Sequence, residues 1–291
     1  MDDPGKRLRQ LAARGGLIVP GAFNPLVARA VQAAGFPAVY LSGAAFSAAQ
    51  LGLPDVGLFT LTELAEELRR LTRACTLPVI VDADTGFGAP LNVARTVEEL
   101  ARAGAAAVQL EDQQLPKRCG HLSGKTLVET EEMCRKLRAA VDARAGRGLV
   151  LVARTDARGS LGLEAAIQRA LAYVEAGADW IFPEALQSPQ EFAQFAQRVP
   201  VPLVANMTEF GRSPLLAAEE LFQMGYTAVL FPVTLLRVAM KSVQTALEVL
   251  RREGTQRSLL EQMQSRAELY QLLDYHDYEE RDRRYFGHSQ E

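Results

Sequence analysis

Eight short apolar runs punctuate the chain, near residues 17–20, 38–42, 78–82, 107–111, 149–153, 180–183, 202–206 and 228–232. They are continuous rather than alternating, the pattern of parallel strands buried on both faces. Between most of them lie stretches such as LTELAEELRRLTRA, LNVARTVEELARAG and GLEAAIQRALAYVEAG. These place apolar residues three and four apart, as amphipathic helices do. AGFPAVYLSG from Ala34, AGAAAVQLED from Ala103, AGADWIFPEA from Ala176 and MGYTAVLFPV from Met224 echo one another. Each reads as a helix ending at glycine, then a strand, then a polar or turn residue. Strand and helix alternating eight times predicts an α/β fold, a (β/α)8 TIM-type barrel. An open doubly wound sheet is the runner-up, and no glycine-rich phosphate fingerprint follows the first strand to support it.

Beyond Val233 the pattern stays helical almost to the end, broken near REGTQ at 252–256. We read one barrel domain over 1–291, with 257–291 as a C-terminal helical extension whose apolar positions call for cover by a second subunit. No linker or low-complexity segment divides the chain.

Composition narrows the picture. The chain has 291 residues, 48% hydrophobic and 23% charged, with a formal net charge of −3. That is ordinary globular composition, and without a basic segment nucleic-acid binding has no electrostatic support. Cys75, Cys119 and Cys134 show no disulfide or zinc spacing, which favours a reducing compartment. The N-terminal stretch MDDPGKRLRQLAARGG is too polar for a signal peptide, and the uncharged run 36–54 is broken by prolines and glycines. The expected location is the cytoplasm, with no membrane partner.

The polar residues fall at strand ends. Tyr40 and Ser42 close the second strand, Asp82 and Asp84 the third, Glu111 and Asp112 the fourth. Arg154 and Asp156 close the fifth, Glu184 the sixth, and Asn206, Thr208 and Glu209 the seventh. Active sites of such barrels lie at the C-terminal ends of the strands. In DADTG, Asp82 and Asp84 are two apart and can face one way. Paired carboxylates repel unless a cation lies between them. With Glu111 and Asp55 they form an oxygen-rich set suited to Mg2+ or Mn2+. The plainer reading is a polar loop in which Asp84 caps a turn.

In PKRCGH, Lys117, Arg118 and His121 surround Cys119 with positive charge and would favour its thiolate, poised for proton transfer. Gly120 lets the backbone approach a bound anion. The plainer reading is a basic loop with an incidental thiol. Cys75 and Cys134 read as small buried hydrophobes. Arg154 in VARTDAR follows a buried strand, where its fork would meet a substrate carboxylate or, alternatively, Asp156 or Glu184. Tyr40 reads equally as a core aromatic or a site hydroxyl.

KRCGH together with DADTG, the LED strand end and ANMTEFG resembles the isocitrate lyase and phosphoenolpyruvate mutase superfamily, over nearly the whole chain. Its likeness is greatest to the 2-methylisocitrate lyase family; the phosphonate-forming mutases lack the cysteine loop, and isocitrate lyases are longer. The resemblance implies Mg2+ held through Asp82 and Asp84 with Asp55 and Glu111 nearby. It implies that Ser42, Gly43 and Ala44 contact the keto-acid half of a small polycarboxylate, Ala44 standing where relatives usually have glycine. Cys119 and Gly120 would sit over the succinate half, and His121 is a further implied substrate-binding residue. Arg154, Glu184, Asn206, Met207 and Thr208 would line the pocket, and Arg237 and Arg266 would bind anionic groups. Leu230 and Pro232 match a pair that admits an extra methyl group.

The implied reaction is a retro-Claisen cleavage to pyruvate and succinate, with Cys119 as acid, Arg154 stabilising charge and Tyr40 as base. A homotetramer exchanging C-terminal helices is implied too. The rival functions are an oxaloacetate decarboxylase or hydrolase, a dimethylmalate lyase, or a non-catalytic dicarboxylate-binding barrel.

Overall fold

The structure is a computed structural model and describes residues 3–118 and 124–287. Its strands are β1 (Leu17–Pro20), β2 (Val39–Leu41), β3 (Val79–Asp82), β4 (Ala107–Glu111), β5 (Val150–Thr155), β6 (Trp180–Pro183), β7 (Val204–Asn206) and β8 (Ala228–Phe231). The first helices are α1 (Pro4–Ala12), α2 (Pro25–Ala33), α3 (Gly43–Phe46), α4 (Leu61–Ala74), α5 (Pro90–Arg102) and α6 (Thr130–Arg144). Then come α7 (Arg158–Leu161), α8 (Leu163–Glu175), α9 (Pro189–Arg198), α10 (Ala218–Gln223), α11 (Thr234–Glu253), α12 (Arg266–Leu272) and α13 (Tyr275–Phe286).

Every strand pairing is parallel. One sheet runs β2-β3-β4-β5-β6 and the other β1-β8-β7. Isolated parallel bridges, Gly21 with Tyr40 and Ile181 with Leu203, join the two sheets at both edges. This is an α/β fold of parallel sheets, consistent with the TIM-type arrangement that the eight apolar runs predict. All eight strands fall within those runs to within two residues at either end.

Local signals set the helix limits. Thr60 and Glu63 form a reciprocal capping box at the start of α4, and Leu64, Leu68 and Leu71 make its buried stripe. α5 and α8 end ahead of Gly104 and Gly177, which take left-handed φ of 97° and 105°. At Gly177 a Cβ would also stand 2.6 Å from Val141 Cγ2, so the echo glycines answer a steric need.

Burial on both faces splits the strand residues into two clusters. Val79, Val81, Val108, Leu110, Leu151, Ala153 and Ile181 pack outward against the helices. Ile80, Ala107, Val150, Val152, Trp180 and Phe182 pack inward with Tyr40 and Leu230. Leu8, Leu11 and Ala12 of α1 close the inner cluster from below. Below it Asp3 caps α1, accepting from Gly5 and Lys6 N–H at 3.0 and 3.1 Å and reaching Gly148 N–H at 2.7 Å. Asp179 accepts from Arg144 at 2.6 Å and pairs with Arg9 at 3.0 Å. Cys75 and Cys134 are buried, as expected of small hydrophobes.

The chain forms two compact units, Met1–Leu236 and Arg237–Glu291. The second holds most of α11, a 3-10 turn at Arg257–Gln262, α12 and α13. Its predicted break near 252–256 is present, with further breaks between the later helices. Within the chain, Val238, Val243, Leu247 and Leu250 of α11 are exposed. Among the described residues no helix is long and apolar enough to cross a membrane.

Candidate active site

Strand parity builds the site. On β3, Ile80 faces inward, so Asp82 does too. On β4, Gln109 and Glu111 follow Ala107 onto that face, and on β5 Arg154 follows Val152. Register then sets Asp82 beside Gln109, and Glu111 beside Arg154. Asp82, Glu111 and Arg154 are all nearly inaccessible, and the strands place them on one inner face.

Asp82 accepts from Gly43 N–H at 3.2 Å, Gln109 Nε2 at 3.1 Å and Asp84 N–H at 3.2 Å. Gly43 fits closely beneath the acids: a Cβ there would lie 3.1 Å from Asp84 Oδ1 and 3.2 Å from Asp82 Oδ2, tighter than usual contact. Ser42 caps the short α3 by accepting from Ala45 N–H at 3.4 Å, and Ala44 is half-buried on that turn. Asp84 takes a left-handed φ of 48°.

Lys117 is the cation among these acids. Its ammonium pairs with Asp84 at 2.8 Å and, more closely, with Asp55. Burial works against its charge, but Asp84, Glu111 and Asp55 outweigh this and raise its pKa. Burial lifts Asp84 to about 7 despite the opposing pull of Lys117. Glu111 is raised well above the carboxylate range, again chiefly by burial.

Arg154 donates from Nε and Nη2 to Asp156 at 2.9 and 3.1 Å, and its Nη1 lies 3.2 Å from Glu184. Its Nε is 3.5 Å from Glu111. The internal ion pair that the sequence left open is therefore formed with both candidate acids. Burial opposes the guanidinium charge, yet Asp156, Glu184 and Glu111 together hold its pKa well above the usual value. Asn206 Nδ2 donates to Glu184 at 3.3 Å, and Thr208 N–H donates to Asn206 Oδ1 at 3.1 Å. Met207 is buried, with its sulfur 3.3 Å from Leu216 N.

Tyr40 lies in the inner cluster and donates its hydroxyl to Gln109 Oε1 at 2.8 Å. Burial, then the charge of Asp82, pushes the phenol well above its ordinary value. The residue is thus both core aromatic and neighbour of the acids. Cys119, Gly120 and His121 lie outside the described residues. Arg237 and Arg266 belong to the second unit, where both are exposed within the chain.

The acids fit a hard divalent cation. Glu111 Oε1 is a buried oxygen without a hydrogen bond, Asp84 Oδ1 meets the Lys117 ammonium at 2.8 Å, and carboxylates offer acceptors only. Among the described residues no three acids stand as a ready cage, and the Lys117 ammonium spans Asp55 and Asp84.

Sequence reasoning missed several members of the network. Gln109 had a legible signal, a lone amide two residues before Glu111 in an apolar strand. Lys117 counted only as a neighbour of the thiol. Lys125, whose ammonium donates to Asp156 at 2.7 Å, gave no local sign, and Asp112 showed only as a strand-end acid. Asp112 is buried and accepts from Thr155, Tyr173 and Asp156 N–H at 2.8–2.9 Å.

The phosphoenolpyruvate phosphomutase family matches residues 8–251. The chain belongs to this family. Among relatives of this phosphomutase-family chain, a 2-methylisocitrate lyase from Aeropyrum pernix is 52% identical over 283 residues, covering 97% of the chain and 91% of the relative. The structure of a 2,3-dimethylmalate lyase superposes with a TM-score of 0.92 at 35% identity, covering 98% of this chain and 96% of that one. A phosphonopyruvate hydrolase solved with oxalate and Mg2+ gives a TM-score of 0.88 at 31% identity, covering 98% and 100%.

Proposed function

We propose that this chain is a carbon–carbon lyase that cleaves 2-methylisocitrate to pyruvate and succinate. The observation that carries the reading is the convergence of Asp82, Glu111 and Arg154 on one inner face. It occurs in a chain that matches an enzyme named for this reaction over nearly its whole length.

Mg2+, or Mn2+ in its place, would be held by Asp82 and Asp84 with Asp55 and Glu111; the buried Glu111 Oε1, which has no hydrogen bond, supports the assignment. Such an ion supplies Lewis-acid charge where a hydroxyl oxygen becomes an alkoxide. Ser42, Gly43 and Ala44 hold the end of the substrate that becomes pyruvate. Tyr40 takes the hydroxyl proton, a role that needs extra positive charge near Asp82 to draw its phenol down. The bond between the hydroxyl-bearing carbon and its neighbour breaks, and its electron pair passes to the succinate half. Arg154 stabilises the negative charge there, held in place by Asp156 and Glu184. Cys119 returns a proton to the carbanion. Gly120, His121, Glu184, Asn206, Met207 and Thr208 shape the surrounding pocket. Arg237 and Arg266 bind substrate carboxylates.

In this reading the strands close into a (β/α)8 barrel and the chain is one domain, with 257–291 as a helical extension. The active form is a cytoplasmic homotetramer that exchanges C-terminal helices. Two features support exchange. The exposed apolar residues of α11 are one. The other is a cavity of about 450 Å³ in the first unit, lined by Ile18, Pro20, Val31, Phe36, Phe231 and Leu235. Truncation after Gly254 should reduce the mass measured by light scattering; an unchanged mass would count against exchange.

The deciding assay is pyruvate release from 2-methylisocitrate, with EDTA and with Mg2+ restored. Cys119→Ser should lower kcat by about two orders of magnitude, as for a lost general acid. Substrate bound without turnover would point instead to a dicarboxylate-binding barrel. The likeness to a 2,3-dimethylmalate lyase supports a second reading, cleavage or hydrolysis of a related 2-hydroxy or 2-keto dicarboxylate. A substrate panel with product detection separates the two.

A further inference from the structure

The turn after β3 carries unusual backbone. Asp84, Gly86, Phe87 and Gly88 all have positive φ, at 48°, 85°, 60° and 141°. Two of the four are not glycine, so the conformation costs free energy that its surroundings must offset. Three successive carbonyls of the turn are gripped. Glu111 N–H donates to Asp84 O at 2.9 Å, Lys136 Nζ to Thr85 O at 3.2 Å, and Thr96 Oγ1 to Gly86 O at 3.1 Å. Thr96 and Lys136 reach in from the packing helices α5 and α6.

Lys136 is the unexpected member. It is only 5% exposed, and no carboxylate of the described residues comes within ion-pairing distance. A buried ammonium without a close counter-ion is expensive, and a neutral donor could satisfy one carbonyl. A positive charge has a use here, because Asp82, Asp84 and Glu111 crowd the inner side of the same turn. Burial lowers the Lys136 pKa, while Glu132 and Glu111 support its charged form. A cavity of about 340 Å³ lined by Thr85, Gly88, Gln113, Val128, Glu132 and Lys136 adjoins the ammonium.

We propose that Lys136 is a positioning residue for the cation site: from outside the inner cluster it holds the Thr85 carbonyl and thereby fixes Asp84 in its left-handed conformation. The inference rests on the metal reading above and extends it to a residue that touches neither ion nor substrate. Outer-shell partners of this kind tune metal affinity.

The test is Mg2+ titration by calorimetry of chelated wild-type, Lys136→Met and Lys136→Arg proteins, with the metal-free Tm of each. Lys136→Met should weaken Mg2+ binding about ten- to a hundredfold, with Lys136→Arg closer to wild type. The metal-free Tm of Lys136→Met should be unchanged or higher, because a buried charge is gone and the cavity admits water to Thr85. Should Lys136→Met not fold, Lys136→Gln is read in the same way. Wild-type Mg2+ affinity in a folded neutral variant overturns the proposal, as does a weakening matched by a large fall in metal-free Tm. A wild-type protein that does not bind Mg2+ overturns the metal reading and this inference with it.

Discussion

The inner cluster of strand side chains ends in two ways. Below, Leu8, Leu11 and Ala12 of α1 close it with hydrocarbon, and the charges of Asp3, Arg9, Arg144 and Asp179 stay at the rim. Above, the same alternation delivers Asp82, Glu111 and Arg154, all buried. The lower end gains from removing apolar surface from water. The upper end spends part of that gain keeping like charges together, with Lys117 and Arg154 as partial compensation. One inward parity, read along each strand, serves stability at one end and chemistry at the other.

The sharpest way to break this contrast is to neutralise the upper end. Asp82→Asn should lower kcat by about two to three orders of magnitude, the scale of lost electrostatic stabilisation. The metal-free Tm should not fall, because one of several repelling carboxylates has gone. A large loss of Tm in that variant would show the acids to be structural. Leu8→Ala is the mirror experiment. It should cost about 2–5 kcal/mol in urea unfolding, as for a buried leucine, with kcat unchanged. Smaller still is Asp3→Ala, which removes a helix cap and the tie to Gly148, at about 1–2 kcal/mol.

The last test is of pH. Asp84 is raised from 3.8 to about 7 in the folded metal-free chain. A carboxyl raised on folding contributes stability that is full below its unfolded value and lost as pH rises through the folded one. The urea midpoint of chelated protein should therefore fall between pH 4 and 8, and Asp84→Asn should flatten that slope. An equal slope in both proteins would remove Asp84 as its source.

Much of the fold was legible because strands buried on both faces are written as uninterrupted apolar runs, and each run was found as a strand. The strand-end acids were legible for the same reason, as polar residues that break a buried pattern. Lys117 was harder. Its chain position suggested a partner for Cys119, while folding carries its long side chain to Asp55, 62 residues away. Lys125 and Lys136 look like ordinary surface lysines in sequence, because nothing local encodes burial by a neighbouring element. Arg154 was found as a site residue, but its tight hold on Asp156 and Glu184 follows from three-dimensional packing. The Cys119 thiol lies outside the described residues, so its role rests on the assay of Cys119→Ser.

The Gln109 amide has a consequence of its own. Its Nε2 donates a hydrogen bond to Asp82 at 3.1 Å and its Oε1 accepts one from the Tyr40 hydroxyl at 2.8 Å. Were Tyr40 to ionise, the amide would have to turn over to offer the phenolate a donor, and Asp82 would then face an oxygen. Deprotonating the ring and releasing Asp82 from its amide are thus one event, recorded by which end of a single side chain points where.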